Sequence, residues 1–428
     1  MDISTGDTAW MLASSALVLL MTPGLAFFYG GMVRTKSVLN MMMMSMATVG
    51  VVSIIWVIYG FELAFGVDGK SAWYGAIKIS DLGNQVDAVA NNGGEYPIPL
   101  LVFAAFQLMF AIITPALISG AIADRAKFVP WTIFVAIWTT VVYLPVAHWV
   151  FAFGNKVGDV VTGAGYLAAK GVQDFAGGTA VHINAGAAGL ALAIVLGKRI
   201  GWRKESMRPH SLPLVMLGAG LLWFGWFGFN AGSALSAGSL AATAMINTQI
   251  ATAAAAMTWV AYEKKRDGKA TTLGVASGAV AGAVAITPAC GYLNPLGALL
   301  LGLIAGVVSA WAVTRKYKFG YDDSLDVVGV HGVGGILGMI AIGLLATVTA
   351  NEAGADGLFF SGGTTQLNRQ LIAIVAVAAF SFIATWLIAT VIQKTIGFRV
   401  YRDDELTGLD TTFHAESAYD ITGNSNRY

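Results

Sequence analysis

LLVFAAFQLMFAIITPALISGAI (100–122) carries no Asp, Glu, Lys or Arg over 23 residues. As a helix rising 1.5 Å per residue it is about 35 Å long, and a bilayer span needs roughly 20 mostly apolar residues. Its apolar residues run on without the alternation of a lipid-facing strand, so it reads as a transmembrane helix and not as part of a β-barrel. With its flanks the span covers about 96–122. Ten more stretches read the same way, at about 8–32, 38–62, 129–147, 174–197, 212–230, 238–262, 271–290, 295–313, 326–348 and 369–393. The expected fold is an all-α integral membrane protein of eleven transmembrane helices.

Composition agrees. Of 428 residues, 56% are hydrophobic and only 11% are charged, against about a quarter charged in an average soluble domain. A mean hydropathy of +0.69 and 52 glycines point the same way, since glycine is frequent in membrane helices. A water-soluble enzyme is excluded. The net charge of +1 points to no nucleic acid. A single cysteine, Cys290, rules out an internal disulfide and a cysteine metal cluster. The first apolar run starts within ten residues of Met1 with no basic segment before it, and reads as a span rather than a cleaved signal.

Basic residues set the expected orientation. With the N-terminus outside, the cytoplasmic segments hold 20 of the 25 Lys and Arg residues, among them Arg34, Arg125, Lys198–Arg208, Lys264–Lys269 and Arg427. The other face keeps only Lys70, Lys78, Lys156, Lys170 and Arg369, together with acids such as Asp68, Asp81, Asp87, Glu95 and Asp159. This is a strong positive-inside bias. It places the C-terminus in the cytoplasm. The chain divides into a transmembrane domain, 1–393, and a cytoplasmic regulatory tail, 394–428. Spans one to five (about 8–197) and six to ten (about 212–348) read as two inverted five-helix repeats, with 369–393 as a final helix. DFAGGTAVHINAG (174–186) opens the fifth span and DVVGVHGVGG (326–335) the tenth. Both have an Asp near the start, then a histidine, then a glycine-rich face. Inverted repeats place a site at their interface near the midplane.

His182 and His331 carry the functional signal. His182 lies about 12 Å in from Asp174 and His331 about 7.5 Å in from Asp326 along their helices. An ionisable residue that deep in a membrane is costly and marks a site. The plainer reading, a neutral histidine tying two helices together, fits one such residue better than two at equivalent places. The glycines around both let the helices approach closely enough to set the imidazoles side by side. Asp174 and Asp326 read as helix caps, Glu62 as a solvated end of span two, and His148 as interfacial packing. His210 and His414 fall in a loop and the tail, and Met41–Met44 circle a helix as ordinary packing. No third ligand and no His-Glu-x-x-His motif completes a metal site, so an intramembrane enzyme is not expected.

GLAFFYGGMVRTKSVLN (24–40), AFQLMFAIITPALISGAIADR (105–125), DFAGGTAVHINAG (174–186), WFGFNAGS (226–233) and DVVGVHGVGG (326–335) resemble, in order, the signatures of the ammonium transporters of the Amt/Mep/Rh superfamily. WFGFNAGS and the tail segment GLDTTFHAESAY (408–419) resemble the Amt branch. The resemblance implies a homotrimer in a cell (inner or plasma) membrane, each subunit with its own pore and no cofactor. His182 and His331 match the family's twin pore histidines, and Trp226 a pore-lining tryptophan. Phe110 and Phe229 match the stacked pair that closes the outer mouth, with Phe106 and Gln107 nearby. Ser233 matches the hydroxyl of the outer ammonium site and Asp174 the carboxylate beneath it. The family pattern His-x-x-Trp-Gly is replaced by His148-Trp149-Val150-Phe151-Ala152, so either Phe151 or Trp149 completes the outer site. The resemblance also implies a PII-type signal protein as a cytoplasmic partner. A sensor or transceptor with limited flux is the second reading. The residue types fit ammonium chemically. Aromatic faces and one hydroxyl hold a cation without a full countercharge, and an apolar lumen then favours neutral ammonia, a form potassium lacks.

Overall fold

The computed structural model describes residues 2–66, 71–157 and 160–419. Asp68, Lys70, Asp159 and Arg427 of the charge pattern lie outside the described residues. Within them, ten helices are long and apolar enough to cross a membrane. In chain order the helices are α1 Thr5–Met32, α2 Thr35–Phe65, α3 Leu100–Ile122, α4 Phe128–Phe151, α5 Gly178–Leu196, α6 Leu212–Gly232, α7 Ser239–Asp267, α8 Thr272–Ile286, α9 Pro295–Phe319, α10 Val328–Leu345 and α11 Thr365–Thr395. The expected eighth span is the exception. Pro288 cannot continue the hydrogen-bond ladder, so α8 ends after 15 residues and turns follow it. Its length is about 22 Å, short of a typical hydrocarbon core.

Glycine governs how the helices meet. Along α1 and α6, a Cβ at Gly24 would press on Leu221 and Leu222, one at Gly31 on Val215, and one at Gly218 on the backbone of Phe28. In hydrocarbon there is little hydrophobic drive between helices, and such close seams supply the packing instead. α5 and α10 meet still more tightly, because Gly186 lies directly against the backbone of Gly332. The close seams thus join the first helices of the two expected halves and also their fifth helices. Both α5 and α10 open with a widened, π-type turn, Gly178–Ile183 and Val328–Gly332, and each of these turns contains a histidine. Such turns cluster at functional sites.

One end of the bundle carries the N-terminus and two hairpins. β1 Val89–Asn91 pairs with β2 Glu95–Pro99, and β3 Asn155–Val157 with β4 Val160–Thr162, both antiparallel. Ser4 N donates to Pro97 O at 2.8 Å, which ties α1 to this end. Glu62 also lies here. It is buried, not solvated, at 3% exposure, because the segment after α2 folds back over it. His148 is likewise fully buried, and its ring nitrogens meet Ala64 O at 2.8 Å and Ser71 O at 3.1 Å.

The opposite end is held by buried charges and by the tail. Arg199 bridges Asp322 at 2.8 Å and Asp124 at 3.5 Å, and Arg34 reaches Asp124 at 3.0 Å. Arg125 is fully buried and donates to Ser324 Oγ at 2.6 Å and Ala121 O at 3.0 Å. Burial pushes its guanidinium down to about 10, still protonated at neutral pH. The tail seats itself on this end. Phe398 is buried against Phe134, and the Arg399 guanidinium donates to Leu196 O and Lys198 O at 2.7 Å each. Glu405 accepts from Ile200 N at 2.6 Å. Asp410 accepts from Leu39 N at 3.0 Å and Asn40 N at 2.8 Å, so a tail carboxylate caps α2.

The α5–α10 seam has a direct test. Gly186→Val drives a side chain into the backbone of Gly332, and overpacking of this kind costs about 1–3 kcal/mol. The thermal midpoint of the purified protein in detergent should fall. Gly220→Ala, where a Cβ meets nothing within 4 Å, should leave it in place. Equal midpoints would show that the seam is not tight.

Candidate functional site

Four cavities follow one another through the bundle. At the N-terminal end a vestibule of about 470 Å³ is lined by Gln107, Phe110, Phe151, Asp174, Ser233 and Tyr292, among others. Its floor is the pair Phe110 and Phe229, with ring centroids 4.3 Å apart and planes tilted by 39°. Beyond the pair lies a narrow apolar cavity reached by Phe229, Trp226, His182 and His331, with about 10 Å³ open to the centre of a water-sized molecule. That is room for about one such molecule. A second narrow cavity shares Phe28, Val280 and His331 with the first and adds Tyr29, Ser277 and Asp326. It shares Met32, Leu325 and Asp326 in turn with an opening of about 240 Å³ at the tail end.

The histidines stand at the centre of this series. His182 Nδ1 and His331 Nδ1 are 3.3 Å apart, and the rings lie at a 23° angle. A hydrogen bond between two Nδ1 atoms needs one proton between them. One neutral imidazole is therefore the Nδ1–H tautomer, whose Nε2 accepts, and the other is the Nε2–H tautomer, whose Nε2 donates. The two nitrogens left over are thus complementary. His182 Nε2 is buried with no partner among the described residues. The rings of Trp226 and Phe229 stack beside His182 at 5.8 and 6.1 Å. Trp226 is held by its own N–H, which donates to Thr287 Oγ1 at 2.8 Å.

Two carboxylates place the histidine turns. Asp174 Oδ1 accepts from Gly177 N at 2.8 Å and Gly178 N at 2.7 Å, and Oδ2 accepts from Thr179 N at 2.7 Å. It caps α5 and also borders the vestibule. At α10 the cap is Asp323 rather than the expected Asp326. Asp323 accepts from Val327 N at 3.1 Å and Val328 N at 2.8 Å. Asp326 instead pairs with Lys316 at 2.6 Å and borders the tail-end opening. The signal for Asp323 is present in the sequence, since Asp174 to His182 and Asp323 to His331 are the same eight-residue step.

The remaining residues singled out from sequence are placed as follows. Ser233 borders the vestibule and donates its hydroxyl proton to Phe229 O at 2.8 Å, which leaves its lone pairs to accept. Phe151 faces the vestibule, edge-on to Phe110 at 6.4 Å. Trp149 points away from it. Its N–H donates to Trp73 O at 2.9 Å and its ring packs against Phe380, because two residues along a helix turn a side chain by about 200°. Phe106 packs behind Phe110 at 4.9 Å and does not border the vestibule. Tyr292 does border it, and no motif around it singles it out.

Ten membrane-length apolar helices around a narrow aromatic passage are the architecture of a multi-pass membrane protein. The pattern of the Ammonium Transporter Family matches residues 9–419. An ammonium transporter of Mycobacterium tuberculosis (strain ATCC 25618 / H37Rv) is 56% identical over 435 residues, covering 97% of this chain and 90% of its own. One from Bacillus subtilis (strain 168) is 45% identical over 421 residues, covering 97% and 98%. Among solved structures, Mep2 of Candida albicans matches with a TM-score of 0.83 at 32% identity, over 94% of this chain and 88% of that one. A chain described as a sensor Amt protein matches at 0.84 and 26% identity, over 95% and 97%. The chain belongs to the ammonium transporter family, and the relatives named here are transporters.

The α10 cap has a pH signature. Burial pushes the Asp323 carboxyl up to about 6, with Lys316 opposing the shift and Asp326 adding to it. Its folded value thus exceeds the unfolded value of about 3.9, and between the two the folded state binds more protons. Its contribution to stability is therefore full below about pH 4 and is lost as pH rises through about 6. Asp323→Asn should flatten that part of the stability profile, measured as thermal midpoints in detergent from acid to neutral pH. An unchanged slope would mean that Asp323 does not titrate there.

Proposed function

We infer that this protein is an ammonium channel or transporter that binds ammonium in the aromatic vestibule, releases its proton and conducts ammonia past the two histidines. The observation that carries this reading is the series of cavities joined through Phe110, Phe229 and the His182–His331 pair. In the vestibule, each ring face offers a cation about 0.5–2 kcal/mol, and the Ser233 oxygen supplies a directed acceptor. Asp174 is engaged by backbone N–H groups, so its charge attracts a cation without trapping it. The apolar cavity beyond Phe229 penalises a charged species by several kcal/mol. An N–H bond of ammonium therefore breaks ahead of it, the electron pair stays on nitrogen, and the proton goes to vestibule water or to the imidazole pair. Ammonia then donates to the accepting Nε2 and accepts from the donating one. Potassium has no such neutral form.

In this reading the N-terminus and the vestibule face outward, and the tail faces the cytoplasm, following the basic residues. α8 counts as the eleventh span, crossing with help from the turns that follow it. α1–α5 and α6–α10 are inverted repeats, supported by the α1–α6 and α5–α10 seams and by the matched Asp174 and Asp323 caps. The assembly is a homotrimer in the cell membrane. Residues 1–393 form the transport domain and 394–428 a regulatory tail, whose seat on α2 and on Ile200 would couple a PII-type protein to the exit. The second reading, a sensor with limited flux, is favoured by the likeness to the sensor Amt protein, and flux from liposomes separates the two.

His182→Ala and His331→Ala should each abolish flux or alter the preference of ammonium over potassium in liposomes, with the protein still folded. If both variants transport normally with unchanged preference, the pore is elsewhere. Phe151→Trp should raise apparent affinity for methylammonium, because indole gives the strongest cation–π attraction. Unchanged affinity would remove Phe151 from the site.

A further inference from the structure

A second cavity, of about 340 Å³, opens at the N-terminal end beside the vestibule. The two share only Asn92 in their linings. Asn92 is a fixed wall, since its amide donates to Phe151 O at 2.7 Å and accepts from Phe153 N at 2.8 Å. The transport reading makes no use of this cavity.

Its chemistry is one-sided. Glu62 borders it, 3% exposed. The carboxylate sits in the last turns of α2, where the helix dipole disfavours negative charge, and a buried carboxylate needs good partners. The partners it has are distant, with Asp81 N–H at 3.4 Å and the Lys78 ammonium at 3.6 Å. Asn91 and Asn155 also line it, and their amide oxygens are buried with no partner among the described residues. Phe65 and Phe103 also line it, packed edge to face at 5.2 Å. One deep carboxylate and aromatic rings match a small cation. Lys78 shows the fit with its own side chain. It brings an ammonium group to within 3.6 Å of Glu62 while its side chain stays 39% exposed.

We propose that the Glu62 cavity is a second binding site for an ammonium-type cation, ammonium itself or a primary alkylammonium. Glu62 supplies the countercharge, and the faces of Phe65 and Phe103 line the site beside it. Set beside the vestibule, the site would raise the local concentration of cation at the mouth of the pore. The proposal does not rest on passage through the histidines, so the two readings fail separately.

The test is binding of radiolabelled methylammonium to the purified full chain by scintillation proximity, alongside flux in liposomes. Wild type should bind two per chain. Glu62→Gln should bind one, through the vestibule, and keep selective flux. Lys78→Met removes the resident competitor and should tighten the second site while keeping two, the opposite of the loss expected if the Lys78 pair were purely structural. If Glu62→Gln does not fold, the Lys78→Met result decides. One site in wild type that Glu62→Gln leaves in place, or no tightening in Lys78→Met, overturns the proposal; one site that Glu62→Gln removes would count against the vestibule instead.

Discussion

A helix that starts in buried surroundings leaves its first N–H groups without water, and α5 and α10 both start that way. In an apolar medium each unsatisfied group costs several kcal/mol. Asp174 and Asp323 meet this need with backbone bonds to the opening residues of each helix. Much else follows from these two caps. Each fixes a widened first turn, each turn sets a histidine eight residues beyond its carboxylate, and the helices can then cross where Gly186 meets Gly332. The imidazoles meet because the backbones below them do.

The same arrangement explains why the passage is both narrow and well defined. Its walls are not loops. They are helix faces locked by glycine seams, by Trp226 anchored on Thr287 and by the Phe110–Phe229 pair. Such surfaces repack only at a cost, so the narrow cavities between them keep their width.

Much of this was legible in the sequence, for identifiable reasons. Long uncharged runs announce spans directly, and ten of the eleven expected stretches form helices of membrane length. The eleventh stops at Pro288, a breaker visible in the sequence. His182 and His331 stand out because a membrane tolerates few ionisable groups. Capping was harder to read. Asp322, Asp323 and Asp326 all precede α10, and choosing among them takes the backbone geometry. Glu62 is buried where the sequence suggests a solvated end, because folding of the segment after α2 over it is a tertiary event that local pattern does not encode. Whether Trp149 or Phe151 reaches the vestibule depends on the phase of one helix, and an error of two residues there reverses the answer.

The single proton between the two Nδ1 atoms gives the histidine pair a memory. If a proton enters at one Nε2 and another leaves from the other Nε2, the shared proton shifts across and both tautomers are exchanged. The pair is then a mirror image of its starting state, with donor and acceptor ends swapped, and it cannot pass a second proton in the same direction until both are restored. A relay through these imidazoles therefore has a reset step of its own. Uncharged molecules moving past the rings leave the tautomers as they were and need no such step.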